Sequence, residues 1–115
     1  MINIEACVIR YLSETFPTIA VFGEVPETKA EKMLVVDKTG GSISNLIPTS
    51  SVVVDSYAPT KAETSALNDE VIDAMMSMPE IVTEIASVVL NSTYNDTDTA
   101  NKEYRYGALF EIVHA

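Results

Sequence analysis

"SVVLNSTYNDTDTANKEYRYGALFEIV", residues 87–113, decides the fold of this chain. Its first third is apolar and β-branched, its middle is dense in Asn, Asp and Thr, and its last third alternates. Successive side chains of a strand point to opposite sides. Tyr104, Tyr106, Ala108, Phe110 and Ile112 therefore share one face, and Arg105, Gly107, Leu109, Glu111 and Val113 the other. The spacing predicts one strand over 85–94 and a second over 103–113. The link between them is too short for the helical crossover that parallel strands need, so the pair is expected to be antiparallel.

The polar middle has three chemical readings. "DTDTAN" places Asp96 and Asp98 at the first two ligand positions of a calcium loop. The pattern then fails: Ala100 takes the third ligand position, Asn101 replaces the turn glycine, and Gly107 stands where a bidentate Glu is needed. Asn91-Ser92-Thr93 and Asn95-Asp96-Thr97 match the glycosylation sequon, but the chain is expected to have no secretion signal, so both are read as unmodified. Turn chemistry remains, because Asn and Asp side chains bond their own backbone and tolerate unusual dihedrals.

Upstream, "PTKAETSALNDEVIDAMMSM" opens on Thr60 and Glu63, the spacing of a capping box. Leu67, Val71, Ala74, Met75 and Met78 form one apolar stripe at helical spacing, with Asp69, Glu70 and Asp73 on the wet side. Pro79 is expected to stop this helix. "VVVDSYA" before it predicts a buried strand over 52–57. "NIEACVIRYLSETF" predicts a first helix capped by Asn3, with Ile4, Val8, Tyr11 and Leu12 on one face and Pro17 at its end. Two short strands follow over 19–22 and 32–37, separated by Gly23 and Pro26. Residues 38–51 are rich in Gly and Ser and predict a long loop or a loose hairpin tip. The order α-β-β-β-α-β-β gives an α+β fold, a mostly antiparallel sheet with two helices on one face, as a single domain over 1–115.

With 115 residues, 47% of them apolar and 21% charged, the composition is globular. Seven basic residues against seventeen acidic ones leave a net charge of -10. Tight binding of nucleic acid needs clustered Lys and Arg, so that class is excluded. The acidity serves solubility, or it forms a wall past which a polyanion slides without sticking. Cys7 is the only cysteine, which rules out an intrachain disulfide, and it reads as a buried small hydrophobe. No membrane span is expected, and the chain is expected to fold in a reducing cytoplasm.

Catalytic materials are sparse. The single histidine, His114, falls at a place where chains are usually loose. Asp69 and Asp73 sit on an exposed helix face rather than in a general acid-base pair. Gly40-Gly41 lacks the Lys and the helix of a phosphate loop. The Met75, Met76 and Met78 cluster reads as core filler. No metal, cofactor or catalytic residue is expected.

"VVVDSYAPTKAETSALNDEVIDAM" followed by "SVVLNSTYNDTDTANKEYRYGALFEI" resembles the small tail-terminator and tail-completion (head-tail joining) proteins of long-tailed bacteriophages and prophages. The resemblance covers residues 52–113. It rests on the "KAE" helix opening and the "YRYGALFEI" ending, and the element order of the whole chain agrees with it. It implies an α+β subunit with no catalytic residues. The subunit would form a homo-oligomeric ring, commonly a hexamer, that caps the tail tube and joins it to the head. Tail-tube and head-connector proteins would be its partners, and DNA would only pass through an acidic lumen. Assembly would occur in the bacterial host cytoplasm, ending at the head-tail junction of the virion. Long loops of this family reach across to neighbouring subunits, a role that maps onto residues 38–51 and, more weakly, onto 23–31.

The residues of that loop fit such a role. Gly40, Gly41 and several serines stabilise it little, yet it holds Ile43, Leu46, Ile47 and Pro48. Such residues either dock on a partner or tuck back onto their own sheet. Gly40, Gly41, Ile43, Leu46, Ile47 and Pro48 are the candidate oligomer-interface residues. Competing expectations are another phage neck or tail-tube subunit and a small bacterial dimeric α+β binding module.

Overall fold

In the computed structural model, which describes residues Met1–Ala115, two helices lie on one face of a five-stranded sheet. Helix α1 (Ile4–Thr15) begins at Asn3, whose side-chain oxygen accepts the Ala6 N–H at 3.1 Å. Strand β1 (Ala20–Phe22) pairs parallel with β2 (Met33–Ser44). β2 turns back into β3 (Ile47–Tyr57), and α2 (Lys61–Ile81) then crosses the sheet. β4 (Ile85–Asn95) and β5 (Arg105–His114) close the chain as an antiparallel pair. The strand order is β1-β2-β3-β5-β4, so β5 inserts between β3 and β4. The α+β class and the element order agree with those expected from the sequence.

Alternation along the central strands builds the core. Leu34 and Val36 of β2, Val52 and Val54 of β3, and Ala108, Phe110 and Ile112 of β5 all point to the helical side. They meet Ile4, Val8 and Leu12 of α1 and Leu67, Val71, Met75 and Met78 of α2. Apart from Ala108, each such side chain, fully buried, is worth about 1.5–3 kcal/mol. Tyr11 adds direction, since its hydroxyl donates to the Ala74 carbonyl at 2.6 Å and pins α1 against α2. The other sheet face is open except at one end, where Met33, Val35 and Tyr57 pack with Phe22 and Ala30.

Several local expectations are corrected. Pro79 does not stop α2, which runs on to Ile81, and Val82 N–H still reaches the Met78 carbonyl at 2.9 Å. Proline here lies in the last turn, where it removes one donor and little else. Of the predicted capping box one arm forms, Thr60 Oγ1 accepting the Glu63 N–H at 3.2 Å. The last strand starts at Arg105 instead of 103, because Asp98 and Glu103 form a separate bridge inside the connection. Cys7 is only partly buried. His114 is not loose but 3% exposed.

The largest refinement concerns residues 38–51: of the two readings, a long loop or a loose hairpin tip, the hairpin holds, and it is regular rather than loose. β2 and β3 continue as a regular ladder out to Ser44↔Ile47, and only Asn45 and Leu46 form the turn. A bulge between Lys38 and Gly40 absorbs one residue of β2. Beyond Asp37 nothing in the chain pairs with the outer side of β2. The hairpin therefore projects as an arm, and the molecule measures 45 × 25 × 25 Å.

Candidate functional site

The arm is the most distinctive surface of the molecule. Two-residue hairpin loops of type I′ need a positive φ at both central positions, which is why Asn-Gly is their favoured pair. Here Asn45 has φ 51° and Leu46 has φ 66°. Asn tolerates this region and leucine does not: a side chain there costs roughly 1–2 kcal/mol. Leu46 nevertheless occupies it, and its side chain is 93% exposed. Ile43 at 61% and Ile47 at 53% flank it. Leu46 and Ile47 do not tuck back onto their own sheet.

The arm's strand pairing explains its other residues. With Ser44↔Ile47 as the closing hydrogen-bonded pair, alternation makes Ile43↔Pro48 a pair without mutual bonds. Pro48 has no N–H to give, so it sits where none is needed by β2. Its ring is buried, which separates it from the exposed interface candidates. Gly41 is required for a different reason: a Cβ there would lie 2.9 Å from the Thr49 carbonyl oxygen. Gly40 has open space around it and no such requirement.

At the root of the arm, Ser50 and His114 are bound to each other and buried. The Nδ1 of His114 lies 3.0 Å from the Ala115 carbonyl oxygen, which can only accept, so Nδ1 carries the proton. In the neutral ring Nε2 is then the acceptor, and the Ser50 hydroxyl donates to it at 2.8 Å. This is the spacing of a nucleophile and its base. Both groups are nearly buried, at 2% and 3% exposure, and the pair fastens β3 to β5 as a clasp.

On the open sheet face lies a second polar group. The Arg105 guanidinium pairs with Asp96 at 2.9 Å, donates to the Tyr57 hydroxyl at 3.3 Å, and lies 5.8 Å from the Tyr57 ring centroid. Its Nε is buried without a partner. Beside it, burial raises the Asp55 carboxyl above the usual carboxylate range, with Arg105 opposing and Asp96 and Asp37 reinforcing the shift. Burial and the neighbouring Asp55 also push the Tyr94 hydroxyl up. Gly107 makes room for this arrangement, since a Cβ there would come within 2.7 Å of the Tyr94 ring and 2.8 Å of an Asp55 oxygen.

The polar connection after β4 is built from side-chain-to-backbone bonds. Asn95 Oδ1 accepts the Thr97 N–H at 3.1 Å, and Asp98 Oδ1 accepts the N–H groups of Ala100 and Asn101 at 3.1 and 3.2 Å. The Asn101 side-chain amide also donates to Asp98 Oδ2 at 2.8 Å, and this bond, followed by those from the two backbone N–H groups, holds the Asp98 carboxyl below its ordinary pKa. Asp96 and Asp98 thus serve Arg105 and the turn, respectively, and do not converge on a common point.

No family model matches the chain, and no curated protein matches it. The structure's own geometry singles out the arm. Of the candidate interface residues it brings Ile43, Leu46 and Ile47 together at an exposed tip and leaves Pro48 inside. Gly40 and Gly41 lie on the outer strand beneath that tip. The Ser50–His114 clasp and the Arg105 group carried no motif by which the sequence could have announced them. The Asn-Leu turn had a partial one, an Asn, which tolerates positive φ, at the middle of the segment.

Proposed function

We propose that the chain is a non-enzymatic structural protein of a long-tailed phage or prophage. In this proposal it assembles into a ring, with a hexamer expected, that terminates the tail tube and joins the tail to the head. The observation that carries self-assembly is Leu46: a bulky apolar residue held in backbone territory that favours glycine and presented almost wholly to solvent. Strain of this kind is retained where a side chain has a task outside its own fold. An apolar tip on a projecting arm gains by docking on another subunit. A ring arises when such an arm meets a different patch of the next copy and the rotation closes.

The tail-terminator assignment itself rests on the resemblance of residues 52–113 and on the agreeing element order. A net charge of -10 suits a ring through which DNA passes without adhering. Light scattering over a wide concentration range, combined with negative-stain imaging, tests the proposal. Six-fold annuli are expected. A strict monomer at every concentration refutes self-assembly. Removing residues 42–48 is expected to abolish the annuli, and assembly that survives the deletion unchanged refutes the role of the arm.

A further inference from the structure

We infer that the two open edges of the sheet are complementary halves of one contact. The outer edge of β2, over residues 39–44, adds antiparallel to the outer edge of β4 of a second copy of this chain. This rests on the ring reading above and specifies the surface that closes the ring.

Both edges are free. β1 covers β2 only from Met33 to Val35, and β4 has β5 as its sole neighbour. In the hairpin register, Ser42 and Ser44 bond inward to β3, so Gly41 and Ile43 direct their N–H and C=O groups outward. Nearer the base, the outward N–H of Lys38 is already met by the Glu5 carboxylate at 2.9 Å, a side-chain oxygen standing where a strand carbonyl would stand.

Both edges carry little of the usual protection beyond Lys38 and the bulges. Natural edge strands are guarded by lysine, proline or inward charge. Residues 85–95 contain no charged residue and no proline. Residues 38–44 contain one lysine and no carboxylate, and no acid occurs between Asp37 and Asp55. β4 keeps two irregularities, between Ile85 and Ser87 and between Leu90 and Ser92, with regular pairing from Ser87 to Leu90. In a chain of net charge -10, these are the surfaces that two copies can bring together without opposing carboxylates.

The directions and levels also match. β2, β3, β5 and β4 alternate in direction, so β2 and β4 run opposite ways. A second copy placed alongside in the same orientation thus presents β4 antiparallel to β2. Ser42, Thr49, Val113 and Ser87 form one row across the sheet. Without stagger, Ser42 meets Ser87 of the neighbour, and the arm's tip reaches the turn before the neighbour's β4. That turn follows Ile81, itself 65% exposed, beside a hollow of about 220 Å³ lined in part by Val82, Cys7 and Glu14. The contact joins Leu46 and Ile81, two of the most exposed large apolar residues of the chain. It is head-to-tail, as a ring requires, whereas β4 pairing with β4 would end at a dimer.

Directly opposed residues of antiparallel strands are about 4.5–5.5 Å apart at Cα, within the range a disulfide spans. In a Cys7→Ala background, Ser42→Cys is mixed with Ala86→Cys, Ser87→Cys, Asn91→Cys or Ser92→Cys, each a separate variant, and oxidised after assembly. Cross-linked dimers are expected between Ser42→Cys and one or two adjacent β4 positions, and from no single variant alone. The double variant Ser42→Cys/Ser87→Cys, or its register-shifted equivalent, should give a ladder ending at the ring size. Rings that form without any mixed cross-link, or β4 variants that cross-link to themselves, overturn the edge pairing and leave the ring reading standing. Absence of assembly in the Cys7→Ala parent and in the unaltered chain overturns both.

Discussion

Replacing Leu46 by glycine should stabilise the isolated subunit and cripple its assembly. Relief of a left-handed leucine returns roughly 1–2 kcal/mol. The greater freedom of glycine in the unfolded chain takes back about 0.4–1 kcal/mol. At 93% exposure the leucine side chain contributes almost no burial to its own subunit, so nothing else is lost. The net expectation is a gain of roughly 0.5–1 kcal/mol, a rise of a few degrees in Tm for a domain of this size. Circular dichroism at a dilution where no assembly persists should report it, because association would otherwise raise the apparent stability of the unaltered chain. In the ring each leucine buried at a contact contributes about 1.5–3 kcal/mol, and a factor of ten in affinity corresponds to about 1.4 kcal/mol. Sedimentation velocity should therefore show each contact weakened by roughly 10- to 100-fold. A variant that assembles as tightly as the unaltered chain, or whose isolated fold is weakened by more than about 1 kcal/mol, refutes the reasoning that Leu46 is kept for a partner.

Other positions give independent checks. Asp55→Asn should raise stability near neutral pH: the folded-state pKa of Asp55 lies above its unfolded value, so ionisation weakens the fold as pH rises through it. The advantage should vanish below the ordinary aspartate range, and urea titrations at neutral and acidic pH that show no such convergence count against the burial of this carboxyl. His114→Ala leaves the Ser50 hydroxyl without its acceptor and should cost about 1–3 kcal/mol in urea unfolding; a neutral result would mean that the clasp is not formed. Gly107→Ala should destabilise by roughly 1–3 kcal/mol through overpacking against Tyr94 and Asp55. Adding Tyr94→Ala should recover part of that loss, and strict additivity of the two changes would exclude the contact.

Periodicity carried most of the fold because the core is built from it. Ile4, Val8 and Leu12 recur at helical spacing and Val52 and Val54 at strand spacing, and each set enters the same core. What escaped was decided by pairing at a distance. Residues 38–44 have no apolar alternation because both their faces are exposed, so their strand character comes from the ladder to β3 and not from burial. His114 is held by Ser50, sixty-four positions earlier, which no local pattern encodes. Pro79 does not end α2, because the packing of Met75 and Met78 in the core outlasts the loss of one helix bond. The exposed tip was visible as residues, and its direction was not, since a turn at Asn45 and Leu46 could have folded either way.

The insertion of β5 between β3 and β4 also sets the order of folding events. β5 is made after every strand it touches, yet it is an interior strand of the sheet. A nascent chain can form the β2–β3 hairpin and α2 as it emerges, but β4 has no neighbour until residues 105–114 have left the ribosome. Closing such long loops before any reward is slow, so maturation should be a single late step. A product cut short before Arg105 would retain the β2–β3 hairpin and the helices, with no strand to join β4 to β3.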